Sequence, residues 1–297
     1  MKTNKLSLLM LFLTAFIWGF AFVAQVSGAN YVEPFTFNAI RFGIGVISLI
    51  PVVLFFERGK SEPKLRRKTF FASLISGSVL FAASMLQQFG VQYTRSAGLS
   101  GFITGLYTVL VPIACFVLFK SRVALYKWLG AICAVVGLFL LCYKPDEGLS
   151  FGGGELVLFI GAFFWAAHVI SVDKLGKELR SLHFAWGQFF VCFMLCTIFT
   201  FVFEEPSFES IYLAKWSLLY CGIPSVAVAY TLQIVAQKRC DPTLAVIILS
   251  TESVFSAIGG VMFGIDSISL IGYVGCALIF CGIVVSQINI EKKKRLE

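Results

Sequence analysis

Arg41, His168 and Glu252 sit inside long apolar runs, and each offers a different chemistry. Arg41 is the one charge in "FTFNAIRFGIGVISLI", residues 35–50. A guanidinium is permanently protonated, so it can hold a carboxylate but cannot carry a proton. Glu252, in "LSTESVFSA", stands near the middle of an apolar stretch. A carboxyl there can take up and release a proton or bind an amine. His168, in "FFWAAHVI", belongs to the residue type that titrates near neutrality. Uncharged polar groups recur at helical spacing around them. Gln88 and Gln92 share a helix face, as do Gln233 and Gln237, and Ser96, Ser100 and Thr104 form a further stripe. Trp18 and Trp165 occupy matching places in two apolar runs, away from the interfaces where tryptophan usually collects.

These residues need a framework, and composition says which kind. Of 297 residues 58% are hydrophobic and 13% charged, and 32 are Phe. The mean hydropathy is +0.88. A soluble fold cannot hide that much apolar side chain, so the medium is lipid. Apolar runs fall at 6–27, 35–56, 69–92, 97–119, 124–142, 154–172, 182–203, 211–236, 243–263 and 269–289, each close to the ~17–25 residues a bilayer requires. The first run is expected to be a transmembrane helix and not a cleaved leader. Of the 24 basic residues, all except Arg41, Arg95, Lys144 and Lys215 fall at the ends of alternate loops, on the side that holds both termini. That asymmetry marks the cytoplasmic side. The net charge of +8 is therefore a topology signal, and no nucleic-acid motif accompanies it.

The chain also repeats itself. "WLGAICAVVGLFL" at 128–140 matches "YVGCALIFCGIVV" at 273–285, aligning Gly130 with Gly275 and Gly137 with Gly282. "AFIWGFAFVAQ" at 15–25 matches "GAFFWAAHVIS" at 161–171. The expected fold is an all-α polytopic membrane protein of ten transmembrane helices. They divide into five-helix halves, 1–145 and 150–297. Five is odd, so the halves enter the membrane from opposite sides and are inverted repeats, an arrangement many secondary transporters use.

These features together resemble EamA-type members of the drug/metabolite transporter superfamily. The resemblance rests on the inverted halves, "WG" in the first span, Arg41 in the second, Pro112 in the fourth, and "GIDSISLIGYVG" with Asp266 and Gly275 in the second half. Ser121 stands where the first half would carry the acidic residue, and Ser253 follows Glu252 where the family often has proline. The resemblance implies a proton- or gradient-linked exporter of small metabolites, often amino acids, in a plasma membrane such as a bacterial inner membrane. The alternatives are a lipid or lipid-linked sugar flippase and a non-transporting membrane scaffold.

The expected substrate path comprises Trp18, Arg41, Gln88, Gln92, Ser100, Thr104, Trp165, His168 and Gln233, with Glu252 as the coupling residue. Each has a plainer reading beside it. Arg41 can snorkel to headgroups, bond helix ends or meet a substrate carboxylate. Glu252 can be a neutral or paired structural group. His168 can be a hydrogen-bonded core histidine. The glutamines can join helices, and the tryptophans can simply pack. Nine cysteines lie mostly within apolar runs. Cys192 and Cys196 are one turn apart without a histidine beside them, so no metal site is expected. No Asp pair, His pair or Ser–Lys dyad falls within the spans, and "SFGGGE" at 150–155 lacks the lysine of a nucleotide loop. Neither catalysis nor a cofactor is expected. The expected partners are a small-molecule substrate, membrane lipids and protons, with no nucleic acid. Monomer and homodimer both remain open.

Overall fold

The computed structural model describes residues 5–59, 62–119, 125–144, 148–149, 151–237 and 248–287. The helices are α1 Lys5–Gly28, α2 Pro34–Phe56, α3 Pro63–Thr94, α4 Ala97–Gly105, α5 Tyr107–Phe119, α6 Leu125–Cys142, α7 Gly153–Gly176, α8 Ser181–Phe203, α9 Phe208–Leu213, α10 Lys215–Tyr220, α11 Tyr230–Gln237, α12 Glu252–Met262 and α13 Leu270–Gln287. A π-helical segment, Cys221–Ala229, joins α10 to α11. Tyr143–Lys144 and Gly148–Leu149 form a two-residue antiparallel ladder between α6 and α7. The other regular elements among the described residues are all helical.

Among the described residues six stretches are long and apolar enough to cross a membrane: Lys5–Gly28, Pro34–Phe56, Pro63–Thr94, Gly153–Gly176, Ser181–Phe203 and Lys215–Ala236. Ala97–Val111, Trp128–Leu141, Glu252–Met262 and Leu270–Val285 are shorter apolar helices. Large apolar side chains cover the outer faces, Phe201, Leu54 and Ile132 among them. Water would oppose that surface and lipid favours it.

Some elements depart from the expected spans. α3 starts at Pro63, before the expected 69, because proline suits the first helical turn. It ends where Arg95 turns left-handed at φ 53° and its guanidinium bonds the Asn30 side chain. The helix expected over 97–119 breaks at Leu106, just after Gly105. The helix expected over 211–236 consists of α9, α10, the π-helical segment and α11. Pro224 has no N–H for the Tyr220 carbonyl, so the α-helical ladder cannot pass that point unchanged. Residues 243–247 of the expected ninth span, "KRCDPT" at 238–243, Ser121 and the C-terminal basic run lie outside the described residues.

α2 and α8 lie side by side and cap each other. Glu204, just past the end of α8, accepts the backbone N–H groups of Phe35 and Thr36 at 2.7 Å each and the Thr36 hydroxyl at 2.6 Å. Glu57, just past the end of α2, accepts the N–H groups of Leu182 and His183 at 3.0 Å each and pairs with His183 Nδ1 at 2.6 Å. A carboxylate at a helix start satisfies orphan donors and meets the positive end of the dipole. Beside the Glu57 cap, Lys68 pairs with Glu178, and the Arg180 guanidinium donates to the carbonyls of Arg58 and Gly59 at 2.9 Å each.

At the periphery α6 and α13 pack against each other along the glycines that the sequence matches. A Cβ at Gly137 would lie 2.6 Å from the Gly275 carbonyl oxygen, and one at Gly282 would lie 2.5 Å from that of Gly130. Gly137 meets Gly275 while Gly130 meets Gly282, so the helices run antiparallel. Small residues let the backbones approach this closely.

Two outcomes follow from these contacts. Gly137→Val and Gly275→Val should each destabilise the chain by about 1–3 kcal/mol through overpacking. Gly153→Ala should not, since nothing lies within 4 Å of a Cβ there. Thermal unfolding in detergent compares the three. The second outcome concerns pH. Burial alone would raise the Glu57 carboxyl, but the hydrogen bonds from the His183 ring and from the Leu182 and His183 N–H groups outweigh it and hold it below the usual carboxylate range. A folded pKa below the unfolded value means stability that is present above the ordinary carboxylate pKa and lost as pH falls through the depressed one. The melting-temperature gap between wild type and Glu57→Gln should therefore be widest near neutrality and close on acidification.

Candidate functional site

A cavity of ≈ 570 Å³ enters the molecule between α1, α2, α7, the π-helical segment and α11, reaching the starts of α5 and α12. At one end its wall includes Asp173, Lys174 and Lys177, all exposed, on the last turns of α7. This is the end that also carries Glu57, Lys68 and Arg180. The wall deeper inside includes Arg41 and Glu252, both buried. Toward the opposite face Phe22, Val23, Val26, Val91 and Ala97 form a buried apolar cluster with Ile265 packed on it. Gly98 N–H donates to Asp266 at 2.7 Å beside that cluster.

Arg41 is placed by the first half of α2, Pro34–Phe56. Its guanidinium lies over the faces of Phe37 and Phe42, at 5.8 and 5.1 Å, and close to the Cys221 thiol. Aromatic faces support a cation without neutralising it. Among the described residues Arg41 makes no ion pair, and its Nε has no hydrogen-bond partner. Glu252 is the first residue of α12, directly after a turn at Ser250–Thr251. Its carboxyl makes no ion pair and no side-chain hydrogen bond among the described residues. Tyr230 lies within electrostatic range of both Arg41 and Glu252, and Tyr107 within range of Glu252.

His168 is buried on α7. It lines the cavity, and its Nε2 is 2.9 Å from Gln188 Oε1 on α8. Trp165 lies one turn before it, with ring centroids 5.9 Å apart. Trp18 donates its indole N–H to the Ser225 carbonyl at 3.2 Å, inside the π-helical segment, and packs on Tyr230 at 4.8 Å. Thr104 and Gln233 also reach the cavity.

Gln88, Gln92 and Ser100 do not. Gln88 is fully buried, and its amide donates to the Gln25 carbonyl at 3.5 Å. Gln92 sits at the end of α3 facing Glu33 at 3.4 Å. Ser100 turns back onto its own helix start, donating to Ser96 O at 2.6 Å with Thr94 Oγ1 3.0 Å away. A serine in the first turn finds a local carbonyl more readily than a distant site. Gln87, one position from Gln88, is the α3 amide that lines the cavity. Gln25, Tyr107 and Tyr230 line it as well, and the sequence offered no spacing that singled them out.

The wall is chemically incomplete by itself. Arg41 Nε, Thr104 Oγ1, Trp165 Nε1 and Gln25 Oε1 are buried without a hydrogen-bond partner among the described residues. Such groups are costly unless something else satisfies them. The wall thus combines a cation, a carboxyl, aromatic faces and unspent polar atoms, which suits a small dipolar ligand with an apolar part. The helix irregularities also gather here. Leu106 breaks its helix between Thr104 and Tyr107, the Ser250–Thr251 turn precedes Glu252, and the π-helical segment contributes Ser225 and Val226.

The chain matches known proteins along nearly its full length. "Uncharacterized transporter YoaV" of Bacillus subtilis (strain 168) is 26% identical over 286 residues, covering 94% of this chain and 95% of that protein. An "Uncharacterized transporter" of Archaeoglobus fulgidus is 26% identical over 279 residues, covering 94% and 84%. "WAT1-related protein At1g43650" of Arabidopsis thaliana is 20% identical over 334 residues, covering 100% and 94%. A solved crystal structure shares the fold at TM-score 0.72 and 21% identity, over 99% of this chain and 100% of its own. The family described as "EamA-like transporter family" matches residues 5–143 and again residues 152–287. With its apolar helices and a cavity that reaches Arg41 and Glu252 among them, this chain belongs to the EamA-like transporter family.

Proposed function

We propose that this membrane transporter is a secondary-active exporter of small zwitterionic metabolites such as amino acids, coupled to protons through Glu252. The observation that carries the reading is the cavity wall, where a buried guanidinium and a buried carboxyl stand without ion-pair partners among the described residues. A charge at that depth needs a counter-charge or water. A zwitterion supplies both signs, its carboxylate to Arg41 and its ammonium to Glu252. When the ligand leaves, a proton on Glu252 replaces the ammonium, so proton and substrate compete for one carboxyl. Trp18, Trp165, Tyr107 and Tyr230 offer the apolar part of the ligand a surface.

The same reading takes the four shorter apolar helices as membrane spans too, giving ten, with 1–145 and 150–297 as inverted halves. Structural features that recur at the spacing of the sequence repeat support it. The helix break at Leu106 and the turn at Thr251 are 145 residues apart, and the capping residues Glu57 and Glu204 are 147 apart. The antiparallel glycine contacts pair Gly137 with Gly275 and Gly130 with Gly282, which a two-fold axis relating the halves would require. The basic residues at the cavity's open end support a cytoplasmic placement of that end, and on this reading the conformation is inward-open with both termini cytoplasmic.

The test is efflux from proteoliposomes loaded with a mixture of labelled amino acids, with and without a proton gradient. Glu252→Gln should fold, bind substrate more weakly and lose its response to the gradient. Normal gradient-driven efflux from that variant would remove Glu252 as the coupling residue. Arg41→Gln should weaken substrate binding by roughly 2 kcal/mol, about 30-fold, as expected for losing a charge-assisted hydrogen bond. Movement of labelled lipid in place of amino acids would replace this reading with a flippase.

A further inference from the structure

Neither capping carboxylate lines the cavity, yet the two helices they join carry cavity chemistry. α2 carries Arg41, and α8 carries Gln188, which holds His168. We propose that α2 and α8 move as one rigid post throughout the transport cycle, with Glu57 and Glu204 as positioning residues that keep Arg41 and the Gln188–His168 pair at a fixed separation. This inference rests on the transport reading above.

The argument is geometric. α2 and α8 are antiparallel, so each has its N-terminus beside the other's C-terminus. At one end Glu204 takes two backbone N–H groups and a hydroxyl from α2. At the other end Glu57 takes two backbone N–H groups from α8 and pairs with a ring nitrogen. Opening the pair at either face would strip a carboxylate and its donors together in a partly buried place, which is costly at both ends. Between the caps Phe35 stacks on Phe199 and Phe203, Phe42 meets Phe189, and Gly43 admits the Phe193 ring against the backbone. The seam that closes the cavity on the opposite face is built differently. Val26, Val91, Ala97 and Ile265 meet through apolar contacts, and the polar contacts beside them are separate single bonds: Gly98 N–H to Asp266, the Gln88 amide to the Gln25 carbonyl, and the Arg95 guanidinium to the Asn30 side chain. Apolar contacts exchange for others at little cost when helices slide, whereas a double cap does not. Access to the opposite face therefore changes at this seam and not between α2 and α8.

Cross-linking tests this in the full chain reconstituted in liposomes loaded with labelled amino acids. Phe35→Cys with Phe203→Cys leaves both caps in place and joins α2 to α8 through a short reagent cleavable by reductant. Ala97→Cys with Ile265→Cys joins the seam. The expected result is that efflux survives the first cross-link, is lost with the second, and returns when the second is reduced. Efflux lost with the 35/203 cross-link and restored by reduction would overturn the proposal. If Phe35→Cys/Phe203→Cys does not accumulate, Gly43→Cys with Phe193→Cys makes the same join. Failure of either pair to move any substrate before cross-linking, with native protein also inactive, would instead count against the transport reading. Glu204→Ala supplies a second readout. It should raise the KM of the folded protein, and Glu204→Asp should restore it in part. A smaller folded yield with unchanged KM would show a cap that stabilises without positioning.

Discussion

Hydrocarbon offers a backbone nothing to hydrogen-bond, so every N–H and C=O within the bilayer must find its partner inside the protein. The rest of this structure depends on that constraint. It makes the spanning elements helices, and it decides where a helix can be interrupted. The break at Leu106, the turn at Ser250–Thr251 and the π-helical segment around Pro224 all adjoin the cavity. Polar partners are available there. Trp18 bonds the Ser225 carbonyl, and the Thr14 hydroxyl bonds the Ala229 carbonyl at 3.2 Å. Irregular backbone and polar cavity thus belong to one solution, because the cavity makes the interruptions tolerable and the interruptions shape the cavity.

The same constraint explains how the deep charges are kept. A soluble protein would pair a buried arginine with a nearby carboxylate. Here Arg41 rests on Phe37 and Phe42, and Glu252 opens α12 with tyrosines nearby. Aromatic faces and phenol groups soften the cost of burial without cancelling either charge. Under the transport reading that incompleteness is the useful property. A site already satisfied by its own ion pair would gain little from a ligand, whereas this wall has polar atoms without partners until one arrives.

Fixed and yielding contacts are divided between different helices. The carboxylate caps hold α2 against α8 at both ends, and the glycine contacts hold α6 against α13 along their length. The seam around Val26, Val91 and Ala97 has an apolar centre, with separate single hydrogen bonds at its edge. Under the transport reading both kinds of contact are needed, since a part that moves needs another to move against.

Much of this was legible in the sequence, within limits set by what periodicity encodes. Hydropathy and charge asymmetry report the medium and the helices, because lipid penalises every exposed polar group and so writes itself into composition. Rare intramembrane ionisable residues pointed to the site for the same reason, and Arg41, His168 and Glu252 all line the cavity. The glutamines show where this stops. Spacing of four says that Gln88 and Gln92 share a face, but not which way the face points, and the rotation of α3 brings Gln87 to the cavity instead. The mutual caps of Glu57 and Glu204 were invisible for a related reason. Each joins residues more than a hundred positions apart, so no local pattern records them. The sequence by itself determined the solvent, the helical state and the residue types that could do chemistry, because these depend on local composition and period. Only the tertiary structure decided which side chains meet, because that depends on the rotation and crossing of helices set by packing among distant residues.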